Sequence, residues 1–147
     1  MQLSEHFSLA EFTVSANAVR LGLDNTPPAD IIERMKVTAR QLERVRAILG
    51  DKPLVISSGY RSSAVNRSAG GAKASAHLSG YAIDFTCPTF GTPLQIAQRI
   101  NVVGVAFDQL IHEYGRWVHI SFDPQRRGQL LTIDGQSTRP GLVPVRP

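Results

Sequence analysis

Three observations predict an α+β fold. Residues 28–49 carry apolar side chains at helical spacing, residues 54–58 and 81–86 are short apolar runs rich in strand formers, and residues 107–122 divide around Gly115 into two alternating segments that read as a hairpin. The expected architecture is a small antiparallel sheet backed by the long helix and by shorter ones. One domain over residues 1–133 accounts for it, followed by an irregular tail over 134–147.

In chain order, Ser8 stands three residues before Glu11, the capping-box spacing, and opens a short helix. Residues 15–21 form a second, stopped by Gly22, and Phe7, Phe12 and Leu21 are expected to pack this N-terminal flap. Pro27-Pro28 suit a first helical turn; beyond them Ile31, Met35, Leu42, Val45 and Leu49 share one face, while Glu33, Lys36, Arg40 and Glu43 fall elsewhere. This helix is scaffold. The run Leu54-Val55-Ile56-Ser57-Ser58, bounded by Pro53 and Gly59, is a buried strand, and the small polar stretch 64–76 reads as an ordered loop of a length more often functional than not. In the next strand Tyr81, Ile83 and Phe85 share one face, with Ala82, Asp84 and Thr86 on the other. Thr92-Pro93 caps a helix to about Ile100; after the hairpin, residues 129–133 add one strand.

The composition narrows the function classes. With 147 residues, 42% hydrophobic and 19% charged, the chain is an ordinary soluble globular protein, and its single cysteine, Cys87, excludes an internal disulfide and is expected as a buried thiol. No run approaches 18 apolar residues, so no membrane span is expected. The start Met1-Gln2-Leu3-Ser4-Glu5-His6 lacks a basic segment followed by an apolar run, which leads us to expect synthesis in the cytoplasm without a signal peptide. A net charge of +4 suits polyanionic surroundings, but only Arg126 and Arg127 are adjacent, so nucleic-acid binding is not expected. His6, in the flap, is expected to be structural.

Chemistry concentrates in Ser75-Ala76-His77-Leu78-Ser79-Gly80-Tyr81-Ala82-Ile83-Asp84 and in Trp117-Val118-His119. An aspartate inside an apolar strand is costly to bury unless it is paired or coordinates a cation. Gly80 lets the chain turn so that His77 folds back over the face bearing Asp84, and His119 is a polar ring between Val118 and Ile120. Two imidazoles, one carboxylate and an open position suit zinc. Residue by residue, the alternatives are hydrogen-bonded structural histidines and an Asp84–Arg61 ion pair.

The motifs Ser57-Ser58-Gly59-Tyr60-Arg61-Ser62, Asn66, Gly70-Gly71, Ser75-x-His77-x-x-Gly80-x-Ala82-x-Asp84 and Trp117-x-His119 together resemble the zinc D-Ala-D-Ala carboxypeptidase family, peptidase family M15. The opening Leu3-Ser4-Glu5-His6-Phe7 and Asn25-Thr26-Pro27-Pro28 are similar to its compact phage and prophage members. The resemblance implies the fold shared by DD-peptidases and Hedgehog signalling domains, with Zn2+ held by His77, Asp84 and His119. It also implies that Arg61 polarises the scissile carbonyl and that Ser75, Tyr60 and Trp117 meet the substrate. Several members carry an acid three positions before the last histidine, where this chain has Arg116, so Glu113 is the expected general base. Strand parity decides this. A two-residue turn at Tyr114-Gly115 would put His112 on the His119 face as the alternative base, whereas a three-residue turn would put Glu113 there. The function so implied is zinc-dependent hydrolysis of a peptide bond in the peptidoglycan stem by a monomeric phage or prophage endolysin that reaches the wall after release. The rival is a non-catalytic zinc-binding or virion structural module of the same fold.

Overall fold

The computed structural model describes residues 1–146. Its helices are α1 (Leu9–Phe12), α2 (Ala16–Leu21), α3 (Ala29–Ile48), α4 (Ser63–Ser68) and α5 (Pro93–Val103). Its strands are β1 (Val55–Ser58), β2 (Ala82–Thr86), β3 (Gln109–Glu113), β4 (Trp117–Ser121), β5 (Gln129–Ile133) and β6 (Thr138–Pro140), in the sheet order β1-β2-β4-β3-β5-β6.

The expected α+β architecture is present, and the four strands β1-β2-β4-β3 are antiparallel throughout. The sheet as a whole is mixed, because β5 joins β3 in parallel and β6 then pairs β5 antiparallel. The residues expected as an irregular tail therefore contain a strand. Asp134 organises the turn before it, with Oδ1 accepting the backbone N–H groups of Gln136 and Ser137 at 2.8 and 2.9 Å.

α3 buries Ile31, Met35, Ala39, Leu42 and Val45, the i, i+3/i+4 stripe that its sequence carries. They meet Ile83, Phe85, Leu110, Val118 and Ile120 from one face of the sheet, with Ile96 and Ile100 of α5 closing the core. The opposite face carries Asp84, His119, Ile111, Glu113 and Trp117, because directly paired residues of antiparallel strands point the same way.

Local chemistry explains most boundaries. Ser8 caps α1 in a complete capping box, and Thr92 caps α5 in another with Gln95. α5 runs three residues beyond the expected end, to Val103, before Gly104 stops it. Part of the stretch expected as loop is α4, capped by Ser62 and held inward by Val65 and Asn66; with only two buried positions it has no periodicity to read. In the flap, Phe7 and Phe12 are buried with ring centroids 5.9 Å apart, while Leu21, expected to pack there, is exposed. Cys87 is buried in the core. No helix among the described residues is long and apolar enough to cross a membrane.

Candidate active site

β2 brings Asp84 directly opposite His119 of β4, and the turn before β2 folds His77 over the same face. That turn needs Gly80: its φ is +79°, and a Cβ there would sit 3.1 Å from Ile31 and Met35 of α3. The Gly80 carbonyl also accepts the Thr38 hydroxyl at 2.8 Å, so the scaffold helix fixes the turn that carries His77.

The three side chains are buried, and one ligand atom from each lies within 4.8 Å of the others. His77 Nε2 and His119 Nδ1 approach Asp84 Oδ1 to 3.3 and 3.0 Å. The His77 Nδ1–H donates to the Gly59 carbonyl at 2.7 Å, which leaves Nε2 with a lone pair. A lone pair and a carboxylate oxygen facing each other out of water call for a cation between them. The donor set, two imidazole nitrogens and a carboxylate, fits zinc, and the Gly59 carbonyl is the outer partner that fixes a ligating imidazole.

The charges point the same way. Burial pushes the Asp84 carboxyl up, but the two imidazoles outweigh it and hold Asp84 well below the usual carboxylate range. Burial keeps His77 below the usual imidazole range. His119 is raised: burial alone would lower it, but the Asp84 carboxylate and then Glu113 more than compensate.

Glu113 pairs with Trp117 across a three-residue turn, 114–116, in which Tyr114 and Gly115 lie at φ +58° and +69°. The register places Glu113 on the metal face, its Oε1 3.8 Å from His119 Nδ1 and its Oε2 accepting the Trp117 indole N–H at 3.0 Å. Burial, and after it the Asp84 charge, raises the Glu113 carboxyl above the ordinary glutamate range.

A family model described as Peptidase M15 matches residues 5–121, which include both histidines, Asp84, Arg61 and Glu113. The chain belongs to the peptidase M15 family. Over 48 residues it is also 42% identical to the zinc D-Ala-D-Ala carboxypeptidase of Streptomyces albus G. That match covers 33% of this chain and 19% of the longer relative.

Within this M15 chain, Arg61 pairs with the second oxygen of Asp84. Its Nη2 is 3.4 Å from Asp84 Oδ2, its Nε donates to Ser58 Oγ at 3.1 Å and its Nη1 to Asn66 Oδ1 at 3.4 Å. The ion pair posed as an alternative to the metal therefore coexists with the triad, each using one oxygen of Asp84. Ser75 lies at the site, its hydroxyl accepting the His77 N–H at 3.3 Å.

One expectation is corrected. His112 pairs with Val118 and lies on the core side of the sheet, its Nδ1–H donating to the Val143 carbonyl at 2.9 Å, so the three-residue turn takes it off the face that carries His119. Tyr60 is buried in the core cluster, and burial, then the charges of Asp24 and Asp30, push its hydroxyl above the ordinary range. Trp117 reaches the site chiefly as the donor to Glu113.

Several supporting residues lacked a readable role in the sequence. Asn25 donates to the carbonyls of Thr13 and Tyr60 at 2.9 and 3.0 Å and accepts the Ser62 N–H at 2.8 Å, clamping both sides of Arg61. Asn66 ties Arg61 to the Ala72 carbonyl. Asp108, buried beside β3, holds Arg127 through Oδ1 to its N–H and Nε and through Oδ2 to its Nη2. The Asn25 and Asn66 motifs are visible in the sequence. Nothing there couples Asp108 to a residue 19 positions on.

Proposed function

We propose that the protein is a zinc-dependent peptidase that hydrolyses a peptide bond in bacterial peptidoglycan. The observation that carries the reading is the placement of Glu113 on the same buried face as His77, Asp84 and His119, with Oε1 3.8 Å from His119 Nδ1. A zinc ion held by those three residues would supply Lewis acidity to a water and to the scissile carbonyl.

The remaining work falls to the chain. Glu113, with its carboxyl raised toward the working range of a base, takes the proton of the attacking water at Oε1 and returns it to the leaving amine. Trp117 keeps Oε2 occupied, so the free oxygen faces the site. Arg61, braced by Ser58 and Asn66, offers a fixed positive charge and donors to the oxyanion that develops on the carbonyl. Ser75 orders the backbone beside the first ligand and lines the cleft by which a peptide reaches His119.

The resemblance to compact phage and prophage members and the net charge of +4 support a role as an endolysin at an anionic wall, released by a separate membrane-permeabilising protein and acting as a monomer. The non-catalytic alternative rested on Arg116 standing where some relatives have an acid. Glu113 on the same face as His119 supports the catalytic reading over it.

Purified protein incubated with peptidoglycan should release new amines when loaded with zinc and stop doing so after chelation. Mass spectrometry of the muropeptides identifies the bond cut. An absence of new amines from the zinc-loaded protein would overturn the reading.

A further inference from the structure

A cleft of about 550 Å³ runs from His119 to the loop after β4. Ala72, Ala74 and Ala76 line it with small side chains, and Asp123, Gln125 and Arg127 line it from the loop that follows β4. The match to the M15 model stops at residue 121, so this end is built by residues outside it.

Two opposite charges meet at that end without pairing. The Arg127 guanidinium is clamped by the buried Asp108 through Nε and Nη2 at 2.9 and 2.8 Å, and its Nη1 has no hydrogen-bond partner among the described residues. Asp123 spends Oδ1 on the Gln125 N–H at 2.9 Å, and its Oδ2 likewise has no partner among the described residues. Asp123 lies near enough to raise Arg127 electrostatically, yet among the described residues no ion pair joins them. The cleft therefore ends in a fixed donor cation beside a free acceptor anion, both half in water and both held by other groups.

We propose that this end is a subsite for a zwitterionic amino-acid head group, an ammonium and a carboxylate on one carbon, carried on a side chain of the peptide whose scissile bond lies at the metal face. The carboxylate meets Arg127 Nη1 and the ammonium meets Asp123 Oδ2. A single charge of either sign would leave one of the two protein groups facing its like or left bare. Among stem peptides the matching chemistry is an uncrosslinked diaminopimelate residue, whose far end is a free amino acid; a crosslinked or amidated residue lacks one of the charges. This inference rests on the peptidase reading for the identity of the substrate, while the chemistry of the subsite is independent of it.

The test uses three stem peptides of one sequence: diaminopimelate free, with its distal amine acetylated, and with its distal carboxylate amidated. Charge-assisted contacts at a partly exposed site predict that each masking lowers kcat/KM by about 10-fold or more. D123N should bring the free peptide down to the acetylated one while preserving the penalty for amidation. Equal kcat/KM for all three peptides on the unmodified protein overturns the subsite, and that comparison needs no variant to fold. The same three peptides with the scissile amide replaced by an uncleavable methyleneamine, titrated calorimetrically into the zinc-loaded protein, read the subsite without turnover. Discrimination in binding with no hydrolysis would sink the peptidase reading and keep the subsite; hydrolysis without discrimination in either assay does the reverse.

Discussion

The two halves of the proposed active site are built on different foundations. The metal half, His77, Asp84 and His119, sits over the core. Gly80 packs on α3, Gly59 presses against the Phe12 carbonyl and hands its own carbonyl to His77, and Asn25 ties the following backbone to the end of α1. The proton-transfer half, Glu113 and Trp117, stands at the end of a hairpin whose turn is exposed and rests against β5, through the Tyr114 N–H bond to Ile133, and against Val145 near the end of the chain. A ligand set must be held to within a fraction of an ångström, whereas a base has to come within hydrogen-bond reach of its water, a distance that often closes only when substrate binds.

The largest break falls on the metal half. D84N removes the charge that both imidazoles and Arg61 face, and metal content measured by atomic emission should fall from one equivalent to near zero, with activity following. G59A comes next. The new Cβ has only the Phe12 backbone to meet, so we expect a loss of about 1–3 kcal/mol in denaturant unfolding and a fall in zinc affinity of roughly 10–100-fold through the lost orientation of His77.

The sequence and the structure part company along the same line. Asp84 was legible because a carboxylate in an apolar strand is costly to bury alone, and Gly80 was legible because the turn before that strand needs it. The side of the sheet to which Glu113 belongs was not, since Tyr114-Gly115 serves turns of either length and one residue reverses every side chain of the strand. α4 and β6 escaped for want of pattern, the one being small and polar and the other three residues long with a proline. The Asp108–Arg127 clamp is a tertiary event with no local signature.

Smaller effects sharpen the contrast. W117F withdraws the indole N–H that holds Glu113 down against the rise caused by burial. The Glu113 pKa should then climb, moving the acid limb of the kcat profile to higher pH, with kcat reduced roughly 10-fold and zinc content unchanged. The smallest effect lies far from both halves, at Glu43. Burial pushes that carboxyl up, but the Ser4 hydroxyl, the His6 N–H and the His6 ring outweigh it and leave it below the ordinary glutamate range. A lowered folded pKa means stability present above the unfolded value and lost as pH falls through the folded one. E43Q should therefore lower the melting temperature at neutral pH by a few degrees, an effect of about 1 kcal/mol, and should make no difference once acid has protonated Glu43.

The most direct measurement of the central claim, that Glu113 is a base mounted separately from the metal ligands, is E113Q assayed for zinc content and turnover on the same preparation. We expect one equivalent of zinc, an unchanged melting temperature and a fall in kcat of about 10²–10⁴-fold. Near-normal turnover, or loss of zinc together with activity, would contradict it.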